Sequence, residues 1–149
     1  RGPWTTVGFV EGAGTTDAPP TYRFTDGDIP FAADTLAYRL RQVDTDGTAH
    51  LSDGVTVTLA SPDRLALKAP FPNPAQRQAV LRYAVPEPTD VQVGVYDVLG
   101  RRVATWVRGR ADAGRHERVV QLDGLATGTY FVRLHAGSSV HTRRLTVVR

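Results

Sequence analysis

Apolar side chains recur at every second residue along much of this chain, and this period is the feature that most constrains its fold. Valines alternate with other residues over Val91–Val95 and again over Val55–Val57. A two-residue period places one face of a strand against a core and the other face in water. No segment shows a sustained apolar period of 3.6 residues, as an amphipathic helix would. The pattern therefore predicts an all-β chain.

Turn-forming dipeptides separate the predicted strands, at Asp26-Gly27, Asp46-Gly47, Asp53-Gly54 and Asp123-Gly124. Glycine supplies the positive φ angles that tight hairpin turns need. Short strands at this spacing are typical of antiparallel sandwiches, so we expect two antiparallel immunoglobulin-like β-sandwich modules. Strands are predicted near 5–10, 22–25, 36–43, 48–51 and 55–59 in the first module. In the second they are predicted near 65–68, 78–85, 90–96, 102–108, 115–121, 128–135 and 140–148.

The charge of the chain changes where proline and small polar residues accumulate. Residues 1–67 hold five basic and nine acidic residues, a net charge of −4, whereas residues 68–149 hold 13 and six, a net charge of +7. We predict a partial first module over 1–60, a linker over 61–70 and a seven-stranded sandwich over 71–149. Five short strands make a thin core. The first module is therefore expected to lean on the second, or to be completed by residues preceding Arg1 or by another chain.

The residue types present exclude several kinds of chemistry. The chain has no cysteine, so disulfides, thiolate metal sites and cysteine nucleophiles are excluded. It also lacks a Gly-x-Ser-x-Gly elbow, a glycine-rich phosphate loop and histidines at zinc-ligand spacing. No apolar run reaches the about 18 residues of a membrane span. We expect no catalytic residue and no cofactor. We also expect no nucleic-acid partner, because the basic residues are spread singly along strands and turns.

Three aspartates are candidates for a calcium site, but they match the pattern of such a site only in part. Asp44, Asp46 and Asp53 superficially resemble the start of a calcium loop. However, Thr48 and Val55 stand where an EF-hand needs two further ligands. A hairpin turn between 38–43 and 49–51 is the favoured interpretation.

Five blocks in the second module follow a familiar order. They are Phe71-Pro72-Asn73-Pro74, the run from Val95 to Val103, Ala113-Gly114-Arg115-His116, the run from Leu125 to Leu134, and the run from Thr142 to Arg149. With these blocks, residues 68–149 resemble the type A C-terminal sorting domain of the type IX secretion system of Bacteroidota. The resemblance implies a non-catalytic export signal on a secreted or cell-surface protein, with the cargo domain upstream.

The resemblance also implies which residues and partners matter. The sorting-signal motif comprises Asn73, Pro74, Asp97, Gly100, Gly128, Tyr130, Arg143 and Arg144. Within it, we expect Asp97 to cap a turn that Gly100 closes with a positive φ, and Tyr130 to face the core. The implied partners are the outer-membrane translocon and a sortase-like peptidase. The peptidase would cut near 61–69 and attach the cargo to anionic lipopolysaccharide.

The first module has a weaker likeness and leaves two alternatives open. Residues 7–10, 22–26 and 38–57 resemble the later strands of a fibronectin type III-like domain, with Tyr38 as its tyrosine corner. An incomplete module also suits a subunit of a surface fibre that is joined by strand addition. A carbohydrate-binding accessory module of a larger hydrolase is the second alternative. It rests on four aromatic residues: Trp4, Tyr96, Trp106 and Phe131. Of these, Trp106 and Phe131 are out of phase with the apolar positions of their strands.

Overall fold

The computed structural model describes residues 3–14 and 19–149, and all the regular secondary structure within them is β-strand. The strands are β1 (Thr35–Tyr38), β2 (Arg41–Val43), β3 (Ala49–Leu51), β4 (Val55–Thr58), β5 (Ala66–Leu67), β6 (Gln78–Val85), β7 (Thr89–Tyr96), β8 (Arg102–Ala111), β9 (Gly114–Gln121), β10 (Gly128–Ala136) and β11 (Ser139–Val147). The all-β prediction is confirmed. Two compact units divide the chain: Arg1–Pro30 with Leu36–Val57, and Phe31–Thr35 with Thr58–Arg149.

The larger unit contains two antiparallel sheets around one core. Strands β11, β10, β7 and β8 form a four-stranded sheet in that order, and β5, β6 and β9 form a three-stranded sheet. Leu81 of the smaller sheet is fully buried in the same cluster as Val93, Val132 and Leu145 of the larger one. All seven strands lie within a few residues of their predicted positions. This agreement follows from the two-residue period, because alternate side chains of each strand must meet one core.

Strand β8 departs from that period. Its pairing with β7 shifts register between Val93 and Gly94 and again between Val95 and Tyr96. Each irregularity inserts a residue and changes which side chains point inward. Trp106 therefore packs against the core together with Ala104. Simple alternation predicts that Val103, Thr105 and Val107 share the core face; Val107 does pack against the core, but Val103 and Thr105 are exposed, so the prediction is wrong for these two.

The smaller unit is more open. Strand β1 pairs with β4, and β2 pairs with β3, so each sheet has only two strands. None of its described residues is buried. The strands predicted over 5–10 and 22–25 are absent, and the single strand predicted over 36–43 is interrupted at Arg39–Leu40. Alternating sequence alone is insufficient here, because a strand also needs a partner for its backbone hydrogen bonds.

Candidate functional site

The predicted motif residues gather at one end of the four-stranded sheet. Gly128 pairs with Val147, and Tyr130 with Leu145, where β10 begins and β11 ends. Phe131, the next residue of β10, pairs with Tyr96, the last residue of β7. Tyr96 directly precedes the turn at Asp97. Positions far apart in the sequence therefore form one contiguous end of the sheet.

Asn73 fastens the segment that precedes β6 to the outer edge of β11. Its side-chain amide donates to the carbonyl oxygen of Arg144 at 3.1 Å, and its side-chain oxygen accepts from the backbone N–H of Thr146 at 2.9 Å. Ala75 continues this contact as a short parallel bridge to Val147. The intervening Asn73–Pro74 peptide bond is cis. Because β11 is the outermost strand of its sheet, this segment covers backbone groups that an edge strand otherwise exposes.

Asp97 organises the turn between β7 and β8, as predicted. One oxygen of its carboxylate accepts from the backbone N–H groups of Leu99 and Arg101, both at 2.9 Å. The other accepts from Nε of Arg101 at 2.7 Å. The Arg101 side chain, followed by these backbone donors, holds the pKa of Asp97 below its ordinary value. Gly100 completes the turn with a φ of 78°, a conformation that favours glycine.

Tyr130 faces the core and is only 8% exposed. Its hydroxyl donates to the backbone carbonyl of Ala126 at 2.9 Å, four residues upstream. A tyrosine near the start of a strand with this bond has the geometry of a tyrosine corner. Gly128 has room for a Cβ atom, and nothing in the structure explains why glycine stands there.

The tyrosine-corner prediction for Tyr38 is wrong. The Tyr38 hydroxyl donates to the carboxylate of Asp26 at 2.8 Å and not to a backbone carbonyl upstream. That hydrogen bond raises the pKa of Tyr38. A tyrosine corner is found in the larger unit at Tyr130, and its sequence signal is a tyrosine two residues after the glycine at which β10 begins.

Arg143 and Arg144 are both exposed and point to opposite faces of the sheet. Arg143 pairs with the buried Val132, whereas Arg144 pairs with Phe131 on the outer face. Nη1 of Arg143 donates to the carbonyl oxygen of Thr142 at 2.9 Å. The two arginines therefore present charge in two directions from one strand.

Two of the three aspartates singled out as calcium candidates, Asp44 and Asp46, belong to a hairpin turn, and Asp53 lies between β3 and β4. Strands β2 and β3 pair as predicted around a turn that Gly47 closes with a φ of 87°. Asp46 accepts from the backbone N–H of Thr48, which lowers the pKa of Asp46. Asp44 lies 3.3 Å from His50. Over residues 3–14 and 19–149, no three His, Asp or Glu side chains converge as a metal site requires, Asp53 included.

The three aromatic candidates of the larger unit do not share one face of the sheet. Trp106 packs on the core, whereas Trp4 is 50% exposed and carries the Arg39 guanidinium over its ring at 4.3 Å. Tyr96 and Phe131 are paired neighbours on the outer face of the four-stranded sheet, and both are half-buried. Carbohydrate binding stays a prediction that none of these contacts tests.

The larger unit is a β-sandwich that carries the predicted motif residues at one end of its four-stranded sheet. The family described as a secretion system C-terminal sorting domain matches residues 69–148, which is more than half of the chain. The chain therefore belongs to this family, and its sandwich is a C-terminal sorting signal for type IX secretion. A comparison with curated proteins found no match.

Family membership sets the location of the protein. A type IX sorting domain marks a protein that crosses the outer membrane and is secreted or held at the cell surface, and the domain interacts with the secretion machinery. In the part of the chain that the structure describes, no helix is long and apolar enough to cross a membrane.

Proposed function

We propose that residues 71–149 are the folded export signal that the outer-membrane translocon reads, and that the motif end of the four-stranded sheet is the surface read. The family match over 69–148 carries this proposal. It is supported by the core, since every buried hydrophobic residue among those described lies between Leu67 and Val147. A signal with its own core keeps its shape whatever cargo precedes it.

The proposal extends to processing after export. A sortase-like peptidase cuts before the sandwich and attaches the cargo to anionic lipopolysaccharide. Peptidases need exposed chain. Of the predicted linker 61–70, Ala66–Leu67 form strand β5 and Leu67 is 1% exposed, whereas Ser61, Asp63 and Arg64 are exposed and precede this strand. Lys68 and Ala69 are exposed as well, but they follow directly on β5, where the Lys68 backbone N–H donates to the carbonyl oxygen of Arg82 at 2.9 Å. The cut is therefore proposed within 61–64, with 1–60 as a partial fibronectin type III-like module before it.

A reporter fusion tests the export signal. Residues 61–149 are fused to a reporter that carries a signal peptide, in a host with a type IX system. The expected result is reporter at the cell surface or in the medium, and mass spectrometry of the released cargo locates the cut. Replacing both Arg143 and Arg144 by Ser is expected to retain the reporter in the periplasm, whereas Arg118→Ser, an exposed arginine outside the motif, is not. Retention of the unaltered fusion in a folded state contradicts the proposal.

A second candidate function is favoured by the open smaller unit. We propose that its two-stranded sheets accept a strand from another polypeptide, which makes the chain a subunit of a surface assembly. The support is an exposed apolar set, together with sheets whose outer edges have no neighbouring strand among the described residues. The members of the set are all at least 49% exposed: Phe9, Phe24, Leu40, Leu51 and Val55. Light scattering over a range of concentrations tests this, and a strictly monomeric species argues against it.

A further inference from the structure

The outer face of the four-stranded sheet carries an unusual set of side chains. Cross-strand pairing arranges twelve positions in three rows that run from β11 through β10 and β7 to β8. The rows are Arg144, Phe131, Tyr96 and Arg102; then Thr142, Arg133, Gly94 and Thr105; then Val140, His135, Gln92 and Arg108. We call Arg102, Arg108, Arg133 and Arg144 the arginine face. No acidic residue occupies these rows.

No carboxylate in the described part of the chain lies within ion-pair distance of the arginine face, although Asp90, which pairs with Arg110, lies one pair beyond Gln92 and Arg108 on the same side of the sheet. Among the described residues, none of its four arginines forms an ion pair. The outer face of the other sheet differs, because Arg82 there meets Glu117 at 2.6 Å. Adjacent rows lie about 7 Å apart and the outer strands about 14 Å apart. Like charges at these distances repel, since the screening length is about 10 Å at 0.1 M salt. An anionic partner would remove that repulsion.

One arginine is held in a defined position. The ring of Tyr96 lies across Gly94, so that a Cβ atom at Gly94 would come within 2.8 Å of Cε2 of the ring. The guanidinium carbon of Arg133 lies 4.7 Å from the centroid of the same ring. This stacking fixes the guanidinium against the sheet and leaves its N–H groups without a protein partner among the hydrogen bonds of the described residues. A planar fork held in this way matches the oxygens of a phosphate group.

We infer that the arginine face binds the phosphorylated headgroups of an anionic lipid surface. A flat face with charges spread over about 14 Å suits a surface of many phosphates better than a single ion. The half-buried ring of Tyr96 suits the boundary of such a surface, where amphipathic aromatic groups are favoured, and the half-buried ring of Phe131 beside it is apolar. The inference gives the sheet a role at the membrane during or after the proposed export. Its biological meaning therefore rests on the proposed function.

Vesicle binding tests the inference with the full chain. Vesicles of equal parts phosphatidylglycerol and phosphatidylcholine are compared with phosphatidylcholine alone by co-sedimentation. Each arginine close to an anionic surface contributes about fivefold in affinity. Arg102→Ser combined with Arg108→Ser is therefore expected to lower the partition coefficient about 25-fold. The matched control is Arg115→Ser with Arg118→Ser on β9, which removes the same charge from the other sheet and is expected to leave binding within about twofold.

Site mapping keeps the test valid if a variant misfolds. The chain has no cysteine, so one can be introduced and labelled with an environment-sensitive dye. Thr142 pairs with Arg133 of the arginine face, so the fluorescence of a dye at Thr142→Cys is expected to shift when anionic vesicles are added. The fluorescence of a dye at Val119→Cys, exposed on the other sheet, is not expected to shift. Equal shifts at both positions, or equal losses in both double variants, overturn the inference, because attraction by net charge alone then suffices.

Three other outcomes also overturn it. One is displacement from the vesicles by inorganic phosphate at matched ionic strength. Another is equally tight binding to polyglutamate, which indicates an acidic protein partner. The third is self-association that the Arg102 and Arg108 substitutions abolish, which indicates a second copy whose acidic residues meet this face. Failure of the reporter fusion with retained vesicle binding counts against the proposed function alone.

Discussion

The two side-chain hydrogen bonds of Asn73 give the sharpest quantitative test of this structure. The partners of Asn73 lie 71 and 73 positions further along the sequence, at Arg144 and Thr146. The two bonds therefore hold the segment before β6 against the edge of β11. Asn73→Ala removes both bonds and leaves the carbonyl of Arg144 and the N–H of Thr146 without these partners. A neutral hydrogen bond contributes about 1 kcal/mol net. Because this site is exposed and water replaces part of each bond, we expect the free energy of unfolding to fall by about 1–2 kcal/mol.

Urea unfolding measures that loss. With a slope of about 1.5 kcal/mol per M, the expected fall moves the midpoint down by about 1 M. Trp4→Phe in every variant leaves Trp106, which packs on the core, as the only tryptophan to report on the sandwich. The matched control is Gln76→Ala, which removes an exposed polar side chain from the same segment. Its midpoint is expected to stay near that of the parent.

Amide exchange gives a local reading that a general loss of stability does not mimic. The Thr146 N–H bonds to the Asn73 side chain, so Asn73→Ala should raise its exchange rate more than that of Val132, which lies in the centre of the core. The reasoning is refuted if the Asn73 and Gln76 variants unfold at the same midpoint and Thr146 keeps its protection.

Three further substitutions test separate contacts. Tyr130→Phe removes the bond to Ala126 and should cost about 1 kcal/mol, read from urea midpoints. The pKa of Asp97 is depressed below 3.8 in the fold, so its stabilising effect is complete above that value and is lost as the pH falls through the folded pKa. Asp97→Asn should therefore be less stable than the parent at neutral pH and approach it in acid, as thermal melts across pH will show. Gly94→Ala should displace the Tyr96 ring and cost about 1–3 kcal/mol by overpacking, with a change in near-ultraviolet dichroism.

The sequence was sufficient wherever a strand had partners on both sides. Strand β10 is an example, because Tyr130, Val132 and Leu134 are buried and the residues between them are not. Strand β8 was located correctly, but the prediction of which of its side chains face the core was not. The sequence shows that Trp106 is out of phase with its neighbours, but not the two register shifts that accompany its packing on the core. Periodicity describes a regular ladder and cannot show where one residue is inserted.

The motif residues could be identified from the sequence, but their arrangement in space could not be predicted from it. The turn at Asp97 followed from local chemistry, because its capping partners lie within four residues. The partner of Asn73 lies more than 70 residues away, and only the fold shows that its amide acts as an added piece of strand. The same holds for the arginine face, whose members come from three strands and meet through cross-strand pairing. Local patterns carry no information about such pairings.

The geometry of β11 limits how the secretion machinery can contact both motif arginines. Arg143 and Arg144 point to opposite faces, so a flat partner surface laid on either face reaches only one of them. The segment from Asn73 to Ala75 already covers the outer edge of β11 from Arg144 to Val148. The part of the edge from Ser139 to Arg143 has no neighbouring strand among the described residues. A partner that contacts both arginines must therefore pass around this edge, where unpaired backbone groups are available to it.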